Sequence, residues 1–210
     1  MHATSATVSA ARPSLRSRLR WRVVDIVVAS VIGVAVGIVY WAWGVGWNAI
    51  SAPFDALLPG LTAGPAAMWV IGGVLGGLVI RKVGAAFYVE LVAAVVSALV
   101  GTQWGAWTVE SGIVQGLGAE IVFLIFAYRV WTLPVAILAG AGAGLAMAIN
   151  DLIISYPGSG TAFVLAYVIS ALIGGAIIAG ILAWLAVKGL ASTGALSRFG
   201  SGREARVVER

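Results

Sequence analysis

The 210-residue sequence contains no cysteine, a single histidine (His2), and only 10% charged residues. Without cysteine there is no disulfide and no thiolate metal site. A lone histidine in a polar N-terminal stretch builds neither a histidine metal centre nor a catalytic dyad. Soluble domains carry roughly 25% charged residues; here 61% are hydrophobic and the mean hydropathy is +1.03. The composition is that of an integral membrane protein. Chemical motifs are missing as well. No GxxxxGK[ST] run occurs, and "GSGT" at 158–161 lacks the lysine of a phosphate-binding loop; GxSxG and HExxH are also absent. The glycine-rich "GAGAGLA" at 140–146 follows no strand and lies in an apolar stretch, so it reads as close helix packing rather than dinucleotide binding. Nothing points to an enzyme, a cofactor or a resident metal.

What is abundant is apolar sequence in runs of helical length. A bilayer core of about 30 Å needs about 20 apolar residues per helix. Six spans meet this requirement approximately: 23–43, 66–80, 85–102, 111–128, 133–150 and 163–187. The expected fold is an all-α membrane bundle of six helices over residues 23–188. Residues 1–22 and 189–210, polar and basic, read as disordered tails.

The cations settle an orientation. Arg12, Arg16, Arg18, Arg20 and Arg22 precede the first span, Arg81 and Lys82 separate the second from the third, and Arg129 follows the fourth. Lys188, Arg198, Arg203, Arg206 and Arg210 follow the sixth, which accounts for all 13 Lys and Arg. With six spans every one falls on the same side, and positive residues stay cytoplasmic. Both termini are therefore expected inside. This segregation also removes nucleic acid as a partner, since the basic tails act as orientation signals beside anionic lipid. The outer loops are then 44–65, 103–110 and 151–162. The first, with three prolines and Asp55, is long enough to be a lid or binding loop.

Polar groups inside the spans mark candidate function. Asp25 sits three residues from Arg22 and reads as a local ion pair. Glu120 lies about eight residues into its span, roughly 12 Å deep at 1.5 Å per residue, with no basic residue within a turn. It is the foremost candidate for a ligand contact. Glu90 lies in the inner half of the third span, within reach of snorkelling cations. At the outer side, Gln103, Trp104, Asn150 and Asp151 end their spans, and "IVYWAWGVGWN" (38–48) gathers Tyr40, Trp41, Trp43 and Trp47. Aromatic residues collect at membrane interfaces as anchors, but their faces also bind flat cations. Tyr40, Trp43 and Trp47 share one helical face and are the expected cavity side. Glu110 beside them reads as a solvated loop carboxylate. Ala29, Gly33 and Gly37 form a small-residue stripe that lets another helix approach closely, either within the chain or from another subunit.

Three segments, "WRVVDIVVASVIGVAVGIVYWAW", "GGVLGGLVIRKVGAAFYVELVAAVVSALVGTQWG" and "GIVQGLGAEIVFLIFAYR", resemble the YkoE family of substrate-binding S components of energy-coupling factor (ECF) transporters. The likeness covers most of 21–129 and continues more weakly to about 188. It implies a six-helix S-component bundle in a bacterial cell membrane that captures thiamine or its hydroxymethylpyrimidine precursor. It also implies a transmembrane coupling subunit and two ATPase subunits from other chains, docking along Ala29, Gly33 and Gly37, and a lid at 44–65. The chemistry agrees. Thiamine carries a permanently cationic ring and an aminopyrimidine, which suit aromatic faces and carboxylates. With no Lys or Arg on the outer side, an anionic ligand is disfavoured. The rival readings are a self-sufficient transporter or channel for a small cation, and a membrane assembly protein. The topology is directly testable, because the natural chain has no cysteine. A cysteine placed at Ser159 is expected to react with a membrane-impermeant reagent added outside; labelling only from the cytoplasmic side overturns the orientation.

Overall fold

The computed structural model describes residues 20–197 and 199–202. No strand forms among them, and the chain is a bundle of helices. Helix α1 spans Val23–Val45 and α2 spans Trp47–Leu57. Helix α3, Ala63–Ile80, winds as a regular turn, then as a tighter 3-10 stretch over Ala67–Val70, and again as α-helix from Ile71. Helices α4 (Ala85–Gly101), α5 (Trp107–Ile125) and α6 (Leu133–Ile154) follow. Helix α7, Thr161–Ser192, contains a π-wound segment over Gly175–Leu182.

Each of the six expected spans coincides with one of α1 and α3–α7, with ends displaced by a few residues. Five of these are long and apolar enough to cross a membrane; α4, at 17 residues, is the short one. At 1.5 Å per residue it is about 26 Å long, somewhat less than the bilayer core. The supposed loops hold more helix than their composition suggests. Half of segment 44–65 is α2, which starts directly after α1 at Gly46. Glu110 lies in the first turn of α5 rather than in a loop.

Helix α3 occupies the centre, with Val70, Val74, Leu78, Val79 and Ile80 all buried. The surrounding helices turn bulky residues outward, such as Val31, Leu99, Ile125 and Ile153. The hydrophobic effect cannot drive helices together in lipid, so close backbone approach through small residues takes its place. The stripe Ala29, Gly33 and Gly37 is where α1 meets α4: a Cβ at Gly33 would lie 2.6 Å from Val92 Cγ1, and one at Gly37 would lie 2.7 Å from Ala93 O. This corrects the expectation that the stripe is free to dock a coupling subunit, because α4 already covers it. Tyr40 belongs to the same buried face as the stripe, and Trp41 turns outward.

The described cations gather at one end, here the basic end. Asp25 is fully buried there; it accepts from the Arg22 backbone N–H (2.8 Å) and side chain (2.7 Å), with Lys82 Nζ at 3.7 Å. Lys82 also donates to Arg20 O (2.7 Å), tying the α3–α4 turn to the start of α1. Arg12, Arg16, Arg18, Arg198, Arg203, Arg206 and Arg210 lie outside the described residues, as do the expected tail segments 1–19 and 203–210. The expectation of a tail from 189 onward is corrected. Helix α7 runs to Ser192, and Leu196 and Phe199 return to the core while the Ser201 hydroxyl donates to Val79 O (3.3 Å). Two apolar residues three apart cover the end of α3 and so hold the segment.

Because α4 fills the space beside Gly33, Gly33→Leu is expected to lower stability by about 1–3 kcal/mol through overpacking. Thermal unfolding in detergent measures this, and a melting temperature equal to that of the parent chain overturns the internal role of the stripe.

Candidate functional site

Two buried carboxylates sit against two helix starts. The first four amides of a helix lack intrahelical partners, and inside a bilayer there is no water to serve them. Helix α4 starts at Ala85, after Gly84 in the left-handed region (φ 84°). Glu120, 5% exposed, reaches across from α5. It accepts from Gly84 N (2.6 Å), Ala86 N (3.1 Å) and Phe87 N (3.4 Å), and Tyr128 donates its hydroxyl to the same carboxylate. Both oxygens are engaged. Ala127 and Tyr128 hold positive φ (50° and 53°) in the turn that brings this hydroxyl into place.

The second start lies inside α3. The change of winding after Val70 makes Gly72 and Gly73 the opening residues of a new helical segment, with their amides turned to side chains. Gly73 N donates to Glu90 Oε2 (2.6 Å) and Gly72 N donates to Tyr40 Oη (2.8 Å), while the Tyr40 hydroxyl donates to Glu90 Oε2 (2.9 Å). Glycine is required here for close approach: a Cβ at Gly72 would sit 3.0 Å from both Glu90 Oε2 and Tyr40 Oη. Glu90 is 1% exposed, and its other oxygen, Oε1, has no partner.

Glu90 and Tyr40 line a cavity of about 340 Å³ at the end of the bundle opposite the basic one. Pockets for small ligands begin at about this size. One wall is aromatic. Trp69, from α3, stands between Trp47 (centroids 4.7 Å apart) and Trp104 (4.9 Å), and its Nε1 donates to Tyr40 O (3.1 Å). The facing wall is a neutral polar stripe on α5, Thr108, Ser111 and Gln115; the Thr108 hydroxyl oxygen is buried without a partner. Towards the mouth, the Tyr167 hydroxyl donates to Asp151 Oδ2 (2.7 Å), and Asn150 Nδ2 donates to Glu110 Oε2 (3.1 Å) and Ser111 Oγ (3.3 Å). Tyr156 closes this side, 5.2 Å from the Tyr167 ring. Burial, followed by the negative charges of Asp151 and Asp55, pushes the Tyr156 phenol above its ordinary range, so it stays a donor.

Of the candidate residues, Glu90, Tyr40, Trp47, Trp104, Asn150 and Asp151 come together around this cavity; Glu120, Trp43 and Gln103 do not line it. Glu120 is spent on the start of α4. Trp43 Nε1 donates to Pro65 O (3.2 Å), bracing α1 against α3. Gln103 is exposed in the α4–α5 turn. Trp69, Thr108, Ser111, Gln115, Tyr156 and Tyr167 were not among the candidates. The α5 stripe was legible as three polar residues at i, i+3 and i+7 in an apolar helix, and Gly72–Gly73 as a paired break within α3.

The chain is similar to known proteins along most of its length. Residues 24–146 match the family described as "ABC-type cobalt transport system, permease component". A protein of Bacillus subtilis (strain 168), YkoE, whose name assigns it as an HMP/thiamine permease protein, is 37% identical over 185 residues, covering 88% of this chain and 92% of that one. A crystal structure of an S component of an ECF transporter superposes with a TM-score of 0.77 at 34% identity, over 90% of this chain and 95% of the other. The chain belongs to this family of ECF-transporter S components. It is therefore a multi-pass membrane subunit of a transporter and not an enzyme. The reading as a membrane assembly protein gives way to that membership.

Glu120→Ala strands the first amides of α4 and the Tyr128 hydroxyl in the bundle. At about 1–3 kcal/mol for each buried unpaired group, several kcal/mol of stability should be lost. Glu120→Gln, which keeps an acceptor, should lose less. Thermal unfolding of both variants in detergent is the check; an unchanged melting temperature for Glu120→Ala removes the capping role.

Proposed function

We propose that this S component captures thiamine, or its hydroxymethylpyrimidine part, in the tryptophan-walled cavity. The observation that carries the proposal is the buried, unpartnered Oε1 of Glu90 at the cavity floor. A carboxylate oxygen only accepts, and leaving it unpaired in a dry site is costly. The ligand has to bring a donor. An aminopyrimidine supplies one in its exocyclic amine, and the bond is charge-assisted. A thiazolium cation then lies against Trp and Tyr faces, gaining roughly 0.5–2 kcal/mol per desolvated contact, with Asp151 and Glu110 as balancing charges near the mouth. Free thiamine fits better than a phosphorylated form, since no Lys or Arg lines the cavity.

The name of the Bacillus subtilis relative supports this ligand class. The family description mentions cobalt, but the site suits a metal cargo poorly. Imidazole and thiolate are the donors that favour such ions; the chain has no cysteine, and its one histidine, His2, lies outside the described residues. In this reading the basic end faces the cytoplasm of a bacterial cell and the cavity opens outward, with α2 as the lid. A transmembrane coupling subunit and two ATPase subunits supply the power. They dock on a surface other than the stripe that α4 occupies.

A titration of the purified full chain with thiamine, followed by tryptophan fluorescence, tests the proposal. Saturable quenching is expected, since Trp47, Trp69 and Trp104 form the wall. In Glu90→Gln the amide oxygen takes over the bonds from Tyr40 and Gly73, which turns an N–H into the cavity against the ligand amine. Affinity should fall about 10–100-fold, as for a lost charge-assisted bond. Equal affinity in parent and variant sinks the site; no binding of thiamine or hydroxymethylpyrimidine to the parent sinks the ligand class.

A further inference from the structure

We propose that the flank of α2 carrying Ile50, Phe54 and Leu57 is a lipid-docking surface, seated at the boundary between headgroups and acyl chains in the leaflet at the cavity end. The leaflet, as well as the bundle, then holds this helix beside the mouth. The seat is the same whichever ligand the cavity takes and whichever side of the membrane it opens to.

Helix α2 leaves α1 at Gly46, and the turn after it reaches Gly60, whose left-handed backbone (φ 99°) rests on α7: a Cβ there would lie 3.0 Å from Tyr167 N. The helix thus bridges from α1 towards α7 and packs only lightly on the rest of the bundle. At about 100° per residue its side chains sort into two flanks. Ile50, Phe54 and Leu57 have the i, i+4, i+7 spacing of an apolar stripe, and Asn48, Ser51 and Asp55 follow at i, i+3, i+7. Ser51 is buried against the bundle, and the charge of Asp55 is felt at Tyr156 beside the mouth. A surface helix bathed in water turns its apolar stripe to the core. Here Leu57 is 77% exposed, with Phe54 and Leu58 exposed beside it.

Lipid is the occupant that the surroundings supply. Helix α1 ends in exposed Val39, Trp41 and Val45, part of its membrane-facing surface, and α2 follows after Gly46 alone. The lipid-facing surface therefore continues from one helix into the next. Segment 44–65 carries no Lys or Arg and a single carboxylate, Asp55, so the contact is apolar rather than a pull towards anionic headgroups. The depth is limited as well. Pro53, inside the helix, has no N–H to offer the carbonyl of Ala49, and a carbonyl left unserved in hydrocarbon is costly. Asn48 and Asp55 also call for water. The helix belongs where water reaches one flank and acyl chains the other, with the apolar flank about 5–10 Å into the boundary.

The natural chain has no cysteine, so single cysteines report cleanly, and Leu57 and Asn48 are exposed enough to be exchanged without loss of packing. Leu57→Cys and Asn48→Cys lie nine residues apart, on opposite sides of the helix. Each variant of the full chain carries the same polarity-sensitive fluorophore and is reconstituted in phosphatidylcholine discs open to both faces. Two nitroxide quenchers are compared, one neutral and dissolved in water, the other attached to the acyl chain near the headgroup. The lipid-borne quencher is expected to act about 2-fold or more strongly at 57 than at 48, with emission at 57 shifted to the blue, while the water-borne quencher acts more strongly at 48. Replacing part of the lipid with phosphatidylglycerol should leave the contrast unchanged; a contrast that appears only with the anionic lipid overturns the apolar contact. Equal quenching of the two positions by the lipid-borne probe, or by the water-borne one, overturns the seat. Shielding of 57 from both quenchers overturns it too, because a protein, such as a second copy of the chain, then covers that flank.

Discussion

A helix that begins inside a membrane bundle must find acceptors for its first amides, and here that demand is met twice by glutamate. Backbone amides in hydrocarbon have no solvent to fall back on, so an unserved helix start costs more than any local propensity returns. Glu120 serves α4, and Glu90, with Tyr40, serves the internal start in α3. The two arrangements differ in one respect that decides their roles. Glu120 has both oxygens occupied, whereas Glu90 keeps one free in a cavity. One carboxylate is consumed by architecture; the other is held rigid by architecture and left open on one side.

That rigidity is what makes the floor of the cavity useful. A side chain fixed by two donors has already lost its rotamer freedom before a ligand arrives, so less entropy is lost on binding. The same α3 break carries Trp69 on its tighter turn, so the aromatic wall and the carboxylate floor are positioned by a single local departure from α-helix. Helix α4 carries Glu90 and is pinned at its start by Glu120, along its length by the α1 stripe, and on its other flank by the α5 glycines. The site is therefore built on packed helices, which hold geometry better than loops do.

The six spans and the segregation of cations were legible because hydropathy and charge act through bulk transfer, which composition reports directly. The two glutamates were not separable in the same way. Glu120 stood out by depth and isolation from cations, but its partners are backbone amides of another helix and a tyrosine in the turn that ends its own, and amides leave no mark in a sequence. The stripe Ala29, Gly33 and Gly37 announced close packing correctly, yet the identity of the packing helix is a tertiary fact. Six of the nine candidate residues converge on the cavity because aromatic and polar residues at span ends on one side have few other places to be. Trp69, Ser111 and Gln115 were passed over because they sit within the expected spans, where a polar or aromatic residue reads first as core, and Thr108 because it falls in the expected 103–110 loop. Leu196 and Phe199 escaped notice for the opposite reason, as isolated apolar residues in a polar stretch.

The crossings in this bundle also bear on how the chain can change over time. At Gly140 with Gly175, Gly144 with Ala171, and Gly174 with Gly64, backbone lies on backbone with no room for a β-carbon. Every missense change from a glycine codon adds at least that carbon, so at these positions a random point mutation has no mild option. A cavity wall, by contrast, tolerates exchange among side chains of similar size. Drift in this lineage is thus channelled: the scaffold is nearly frozen at its contacts, and variation that survives collects in the outward-facing residues and around the cavity, where it alters what is carried rather than whether the protein folds.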